Sequence, residues 1–427
     1  MQTTQELPLA LKRLTEEVKA KRGQEVAERF ERCLANTWNT TLKPQGDGTT
    51  FVITGDIPAM WLRDSAAQVR PFLTASEDPE IGGLIEGVVR RQFDCLLRDP
   101  YANAFNETDN GNGHQGDETD STPWIWERKY EIDSLCYPIQ LAYLLWKNAG
   151  RTSQFDDRFR QGVRLIIGTW KTEQDHEHAS TYRFVRRSGA PTDTLKRDGK
   201  GTETARTGMT WSGFRPSDDA CEYGYLVPSN AFAVVVLGYA AEIARDVLGD
   251  AALAESAESL AEEIRGGIER GGVAEHPEFG RLYAYEADGL GSFNLMDDAN
   301  VPSLLSLPYL GYCEAQDPMY RATRAFVLSR QNPYFYEGSA AAGIGSPHTP
   351  PDYIWPIALA MQAMTAEEAD ERERLLELLM RTDGGTGYMH EGFHADRPEE
   401  FTRPWFSWAN MMFCELALMC SGIVVKR

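Results

Sequence analysis

The chain has 427 residues, of which 64 are Asp or Glu and 43 are Lys or Arg, giving a formal net charge of −21. That balance argues against a nucleic-acid partner, since holding phosphates takes clustered Lys and Arg, and it disfavours an anionic membrane surface. Length alone allows two or three domains, yet no Ser/Gly/Pro-rich linker or shift in composition divides the chain, so a single domain over residues 1–427 is expected.

The first residues, Met-Gln-Thr-Thr-Gln-Glu-Leu-Pro, have neither the basic start nor the apolar stretch of a secretory signal. No continuous apolar run approaches the roughly 20 residues of a membrane span. The seven cysteines (33, 95, 136, 221, 313, 414, 420) are odd in number and scattered through apolar runs, which fits reduced core residues. The expected location is cytoplasmic, where the glycosylation-like Asn39-Thr-Thr41 and Asn106-Glu-Thr108 have no consequence.

Apolar residues at three- and four-residue spacing predict twelve helices, at 8–36, 60–75, 81–97, 133–148, 155–173, 230–247, 251–269, 300–312, 319–330, 353–364, 366–381 and 405–421. Ala231–Ala241 and Ile354–Met364 are apolar nearly all round, as buried helices are, whereas Ala366–Met380 has one apolar and one charged face. Six times an acidic or polar loop runs into a proline and then an apolar stretch: Asp56 with Pro58, Asp133 with Pro138, Asp218-Asp219 with Pro228, Asp297-Asp298 with Pro302, Asp352 with Pro356, and Glu391 or Glu400 with Pro404. Proline suits a helix's first turn because the N–H it lacks would have no partner there, and carboxylates favour the same positive end of the dipole. Buried helices alternating with amphipathic ones predict an all-α fold, an (α/α)6 barrel of six inner and six outer helices whose inner starts face one cleft. Minor β elements are expected in the loops, at Thr181–Arg186 and Arg281–Tyr285.

Two motifs point elsewhere. His390-Glu391-Gly392-Phe393-His394 fits H-E-x-x-H, which binds zinc when both histidines share a helix face. The Gly-rich stretch before it and Asp396-Arg-Pro398 after it predict a loop, in which the spacing loses that meaning. Asp218-Asp219-Ala-Cys-Glu222 resembles the magnesium-holding run of prenyl-diphosphate enzymes, but those would be expected to show basic residues nearby and a second acidic motif on a helix, and Asp297-Asp298 lacks the third carboxylate. By contrast, Trp61, Trp124, Trp126, Trp211, Trp355, Trp405 and Trp408 fall in loops or at helix starts. Indoles there can cover a sugar ring while Arg and Asp fork onto its hydroxyls, as in Trp61-Leu-Arg-Asp64 and Arg403-Pro-Trp405.

Thr54–Ser65, Trp126–Pro138, Gly213–Ala220, Met296–Pro302 and Phe401–Phe406 together resemble glycoside hydrolase family 125, the exo-acting α-1,6-mannosidases, from about residue 25 to the carboxyl terminus. The resemblance implies an (α/α)6 barrel, no metal or other cofactor, inversion at the anomeric carbon and an α-mannoside oligosaccharide substrate such as N-glycan-derived mannans. It implies Asp218 as general acid, with Asp219 the alternative register, and Glu391 as general base. The candidate substrate-binding set is Trp61, Arg63, Asp64, His114, Trp211, Arg215, His348 and Arg403.

The chemistry requires one carboxylic acid to protonate the leaving oxygen and one carboxylate to activate water. The acid's proton must persist near neutrality, and repulsion from Asp219 and Glu222 is expected to raise the pKa of Asp218. His390 or His394 is expected to orient Glu391. The alternatives are a metal-dependent hydrolase built on the His390–His394 loop and a non-catalytic sugar-binding protein.

Overall fold

The computed structural model of the protein describes residues 6–427; Met1–Gln5, part of the terminus read above for a secretory signal, lie outside the described residues. The described chain is predominantly helical, with strands of two to four residues in small antiparallel sheets. Leu62–Val69 packs on Ile132–Ala149, which packs on Val227–Asp246, which packs on Leu307–Leu310. Pro356–Met364 packs on Ser407–Cys420, which returns to Leu62–Val69. Around these lie Gln24–Thr40, Pro79–Arg98, Asp157–Glu173, Ala251–Gly271, Pro318–Val327 and Ala369–Arg381. Burial follows the sequence pattern: every residue of Leu62–Val69 is buried, and every residue of Pro356–Met364 except Gln362, while Ala369–Arg381 buries only Leu375, Leu376 and Leu379. The buried apolar side chains form one cluster running from Leu7 to Leu418, with a small satellite of Ala59, Trp61 and Ala104.

Several expectations need correction. The helix expected over 8–36 is two, Leu9–Arg22 and Gln24–Thr40, divided by Gly23 at φ 89°, a conformation that favours glycine. The 60–75 helix is α-helical only over Leu62–Val69; Arg70–Ala75, containing Pro71, tightens to a 3-10 turn. The 300–312 helix shrinks to Leu307–Leu310. Here the Asp297 carboxylate accepts from the backbone N–H groups of Leu304 (2.8 Å) and Leu305 (3.0 Å), offering the chain an alternative to helical bonds. Of the six prolines, Pro228 and Pro356 sit in the first turn of an inner helix, but Pro138 lies inside Ile132–Ala149, and Pro58, Pro302 and Pro404 precede their helices in loops. Thr181–Arg186 forms no strand beyond a single Glu118–Val185 bridge, whereas Gly280–Tyr283 pairs with Val273–His276. Val227–Asp246 is long and apolar enough to cross a membrane, contrary to the run-length reading. Polar residues such as Asn230 and Glu242 interrupt its apolar run without cancelling its average, and 78% of its apolar window is buried within the protein.

Short strands precede three inner helices and tie the loops at that end together. Met60–Trp61 pairs with Ala104–Phe105, Tyr225–Leu226 with Glu286–Ala287, and Tyr353–Ile354 with Phe393–His394. The outer helix Ala251–Gly271 meets the segment before the second of these strands so closely that a Cβ on Gly267 would lie 2.5 Å from Met209 N and 2.7 Å from Gly208 C. Replacing Gly267 by Ala gains about 1 kcal/mol of helix propensity but forces backbone against backbone, costing about 1–3 kcal/mol. Gly267→Ala should therefore lower the urea midpoint at unchanged slope, whereas an equal or higher midpoint would mean that the 208–209 segment yields.

Candidate active site

Every inner-helix start contributes to one cluster. Thr54, Ile57, Trp61, Arg63 and Asp64 come from the first, Pro216–Asp218 from the loop leading to the third, Asn300 from the fourth, and His348 and Trp355 from the fifth. Glu391, Arg403, Phe406 and Trp408 come from the sixth, and together these residues line a cavity of about 360 Å³. The second start supplies Glu131 and Asp133, whose carboxylates accept from Arg63 Nη1 at 2.6 and 3.0 Å.

Arg63 is the cluster's hub. Its Nη2 donates to Asp218 Oδ1 at 3.1 Å, its Nε stands 3.7 Å from Asp64 Oδ2, and its side chain is 3% exposed, so four carboxylates surround one guanidinium nearly out of water. Asp218 is held from two further sides. Lys129 Nζ donates to its backbone carbonyl at 2.7 Å, and Asn103 Nδ2 reaches its Oδ1 at 3.3 Å and Glu131 Oε1 at 3.3 Å. Its φ is 70°, an uncommon value for a non-glycine residue.

These surroundings overturn the expected pKa logic. Glu222 is turned outward onto Lys196 (2.7 Å), and Asp219 receives a hydrogen bond from His348 Nδ1 at 3.2 Å, so neither drives a proton onto Asp218. Burial favours the neutral acid, but Arg63, Lys129, a hydrogen bond from Glu131 and His348 together outweigh it and hold the Asp218 carboxyl well below the ordinary range. Burial pushes Glu131 the other way, far above it, against the pull of Arg63 and with repulsion from Asp218 and Asp133. The two neighbouring carboxyls are thus displaced in opposite directions, Asp218 toward its anion and Glu131 toward its neutral form. Burial likewise raises Asp64 to about 6, opposed by Arg63 and Arg403. His348 is raised to about 9, since its bond to Asp219 and the charges of Glu391 and Asp218 exceed the effect of burial.

Glu391 sits across the cavity in a loop. Arg403 Nη1 lies 3.5 Å from its Oε1, and Arg403 is itself forked onto Asp56 at 2.5 and 3.1 Å and stacked on Phe406. The two histidines flanking Glu391 are engaged elsewhere. His390 stacks on Phe401 with ring centres 3.7 Å apart, and His394 lies in the two-residue strand Phe393–His394 with Nδ1 accepting from Asp396 N. The segment is not helical, so the zinc-type spacing has no common face. Neither histidine orients Glu391 in the hydrogen bonds seen; Arg403 is the group at hand.

Among the candidate residues, Trp61, Arg63, Asp64, Asp218, His348, Glu391 and Arg403 converge on the cavity. Three do not. Trp211 is 1% exposed and stacked on His176 at 3.5 Å, a core position. Arg215 is buried under the Asp218 loop, its Nε donating to Glu286 at 2.6 Å. His114 is one layer out, 3.7 Å from Glu127. Sequence reasoning gave no role to Lys129, Glu131 or Asn103. An acidic or basic residue just ahead of an apolar helix looks like an ordinary cap, and only the missing solvent distinguishes it.

A larger space of about 970 Å³ lies at the C-terminal ends of the same inner helices. Its half-buried carboxylate, Glu415, is taken by Arg70 (2.8 Å) and the Tyr309 hydroxyl (2.9 Å). The smaller cavity is the one with aromatic walls and carboxylates on opposing loops, an arrangement suited to a polyhydroxylated ring and to acid–base chemistry on it.

Residues 23–418 match the family described as metal-independent alpha-mannosidase (GH125). The chain is 39% identical over 418 residues to the meiotically up-regulated gene 157 protein of Schizosaccharomyces pombe, covering 92% of this chain and 82% of that one. It superposes with TM-score 0.95 and 51% identity, over 97% and 98% of the two chains, on a Streptococcus pneumoniae metal-independent α-mannosidase. That structure is a non-productive complex with α-1,6-mannobiose. A glycosidase variant solved with glucose shares the fold at 14% identity and TM-score 0.56, over 94% of this chain and 98% of that one.

The histidine–aspartate pair gives a pH test. Unfolded histidine titrates near 6.5 and folded His348 near 9, so the pair contributes stability that is complete below about pH 6.5 and is lost as pH rises through about 9. The urea-midpoint difference between wild type and His348→Gln should be largest near about pH 6 and fall to a pH-independent level by about pH 10; a constant difference would mean that His348 carries no charge.

Proposed function

The chain belongs to the metal-independent α-mannosidases of glycoside hydrolase family 125, and on that footing we propose that it is exo-acting, removing terminal α-1,6-linked mannose with inversion. The observation that carries this reading is that Asp218 and Glu391, on loops ahead of different inner helices, face one small aromatic-walled cavity. Asp218 protonates the glycosidic oxygen as the C1–O bond breaks. Glu391 takes a proton from water, whose oxygen bonds to C1 from the opposite face, releasing β-mannose. Inversion needs carboxyls about 6.5–9.5 Å apart, with water between. Arg403, His348 and Asp64 supply donors and acceptors for the sugar's hydroxyls, and Trp61, Trp355, Trp408 and Phe406 its walls. Arg63, whose Nη1 and Nη2 are taken by Glu131, Asp133 and Asp218, positions Asp218 rather than the sugar.

The mannobiose bound by the pneumococcal relative supports α-1,6 linkage and oligosaccharides of N-glycan origin as substrates. We read the helix packing as a single (α/α)6 barrel domain. A cytoplasmic location fits seven free cysteines, five of them buried.

Asp218→Asn and Glu391→Gln should each lower kcat on α-1,6-mannobiose by about 10²–10⁴-fold while substrate still binds, with the 1,2 and 1,3 isomers poorly cleaved and chelator without effect. An active Asp218→Asn beside a dead Asp219→Asn would move the acid by one residue. Time-resolved NMR should show β-mannose first; initial release of the α anomer would make Glu391 a nucleophile and end the inverting assignment.

A further inference from the structure

We infer that Glu131 is a positioning residue that stores the proton Asp218 delivers to the leaving group. The inference rests on Asp218 being the acid, and its ground is the geometry of the buried cluster. Glu131 is 1% exposed and shares the Arg63 guanidinium with Asp218: Nη1 serves Glu131 at 2.6 Å while Nη2 serves Asp218 at 3.1 Å. Asn103 Nδ2 reaches both carboxylates at 3.3 Å. Ser134 Oγ donates to Glu131 Oε2 at 2.8 Å. With Asp133 and Asp64 the group has four carboxyls around one guanidinium, and the outer cations Lys129, His348 and Arg403 are each taken by a further carboxylate, Asp193, Asp219 and Asp56, so full ionisation would leave uncompensated negative charge largely out of water, at a cost of several kcal/mol. At least one proton must stay in the cluster.

The groups facing it decide where that proton rests. Asp218 faces Lys129 and His348 in addition to Arg63, all of which favour its anion. Glu131 faces Arg63 from the first inner helix, Asp133 and Ser134 on its own helix, Asn103 from the neighbouring loop, and Asp218 and Cys221 from the third loop. Of these only Arg63 favours its anion strongly, and Asp218 and Asp133 oppose it. The proton therefore sits on Glu131 at rest, on the far side of the acid from solvent. When a glycosidic oxygen comes against Asp218, Glu131 passes its proton to Asp218 and becomes carboxylate. Asp218 passes that proton to the leaving oxygen as C1–O breaks, Glu391 gains one from water, and exchange with solvent returns the proton to the pair and removes the one on Glu391.

The test compares wild type with Glu131→Gln and Asp218→Asn on α-1,6-mannobiose, whose leaving group needs protonation, and on 2,4-dinitrophenyl α-mannoside, whose leaving group does not. Glu131→Gln should lose about 10²-fold in kcat on mannobiose with little change in KM and far less loss on the dinitrophenyl substrate. Its basic pH limb should move to lower pH by about one unit or more, because Asp218 must then hold its proton alone beside three cations. A wild-type pH profile in folded Glu131→Gln would overturn the inference. Equal loss on both substrates in Asp218→Asn would instead overturn the acid assignment itself. Should Glu131→Gln fail to fold, infrared spectra of the wild type decide. A protonated-carboxyl C=O stretch at neutral pH that shifts when glutamate side chains are 13C-labelled, as aspartic-acid bands do not, and persists in Asp218→Asn supports Glu131 as the holder; absence of any glutamate-sensitive band from wild type sinks the idea.

Discussion

One guanidinium among four carboxylates sets the terms for this molecule. Arg63 is 3% exposed, and a charge so placed is tolerable only if paired and hydrogen-bonded; yet its partners overpay it, leaving more negative than positive charge in a dry space. Glu131 and Asp133 anchor the second inner helix to the first, and Asp218 brings in the loop leading to the third. The same contacts that fix three elements also fix the Asp218 carboxyl to within a hydrogen bond. A buried ion network is weak evidence for stability, but here each link also fixes the position of a group in the cavity.

Strain gathers where the network meets the cavity. Among the described residues, five non-glycine positions have positive φ, and two of them, Asp218 at 70° and Arg403 at 42°, line the cavity from opposite loops. Such conformations cost of order 1–3 kcal/mol each and persist when the surroundings over-determine them. At Asp218 the surroundings are Lys129 on its carbonyl, Arg63 on its carboxylate and the Arg215–Asp219 backbone pair. At Arg403 they are the fork onto Asp56 and the Phe406 ring.

Much of this was legible in the sequence, and the remainder failed for identifiable reasons. Apolar periodicity located the buried helices because a helix with no polar face has nowhere to go but the interior, as Pro356–Met364 illustrates. It failed at 300–312, where the side chain of Asp297 captured the donors a helix would use. Proline was a weaker marker than expected, serving the first turn at Pro228 and Pro356 but standing in mid-helix at Pro138. Trp61, Arg63, Asp64 and Arg403 could be placed because aromatic and charged groups stand together in Trp61-Leu-Arg-Asp64 and Arg403-Pro-Trp405, the combination a sugar site needs. Trp211 could not be told from them, since stacking on a buried histidine leaves no trace in spacing. The direction of the Asp218 shift was misjudged because its neighbours in sequence, Asp219 and Glu222, turned away, while its neighbours in space, Arg63, Lys129 and His348, lie 155, 89 and 130 positions away in the chain.

The inner helices begin at the cavity and end at the far side, so their positive dipole ends converge on the carboxylates. That orientation helps explain why so many acidic side chains can be buried together. For the acid role proposed for Asp218 it also sets a conflict, because everything that makes its anion tolerable works against its carrying a proton when a glycosidic oxygen arrives. A lone acid in that field would be ionised at neutral pH. The coupling to Glu131 inferred above, a carboxyl that sees fewer cations, would resolve the conflict without weakening the field, since a coupled pair can retain a proton that neither position alone accounts for. On those proposed roles, the field that holds the acid in place and the proton it must deliver belong to different residues, one hydrogen bond apart.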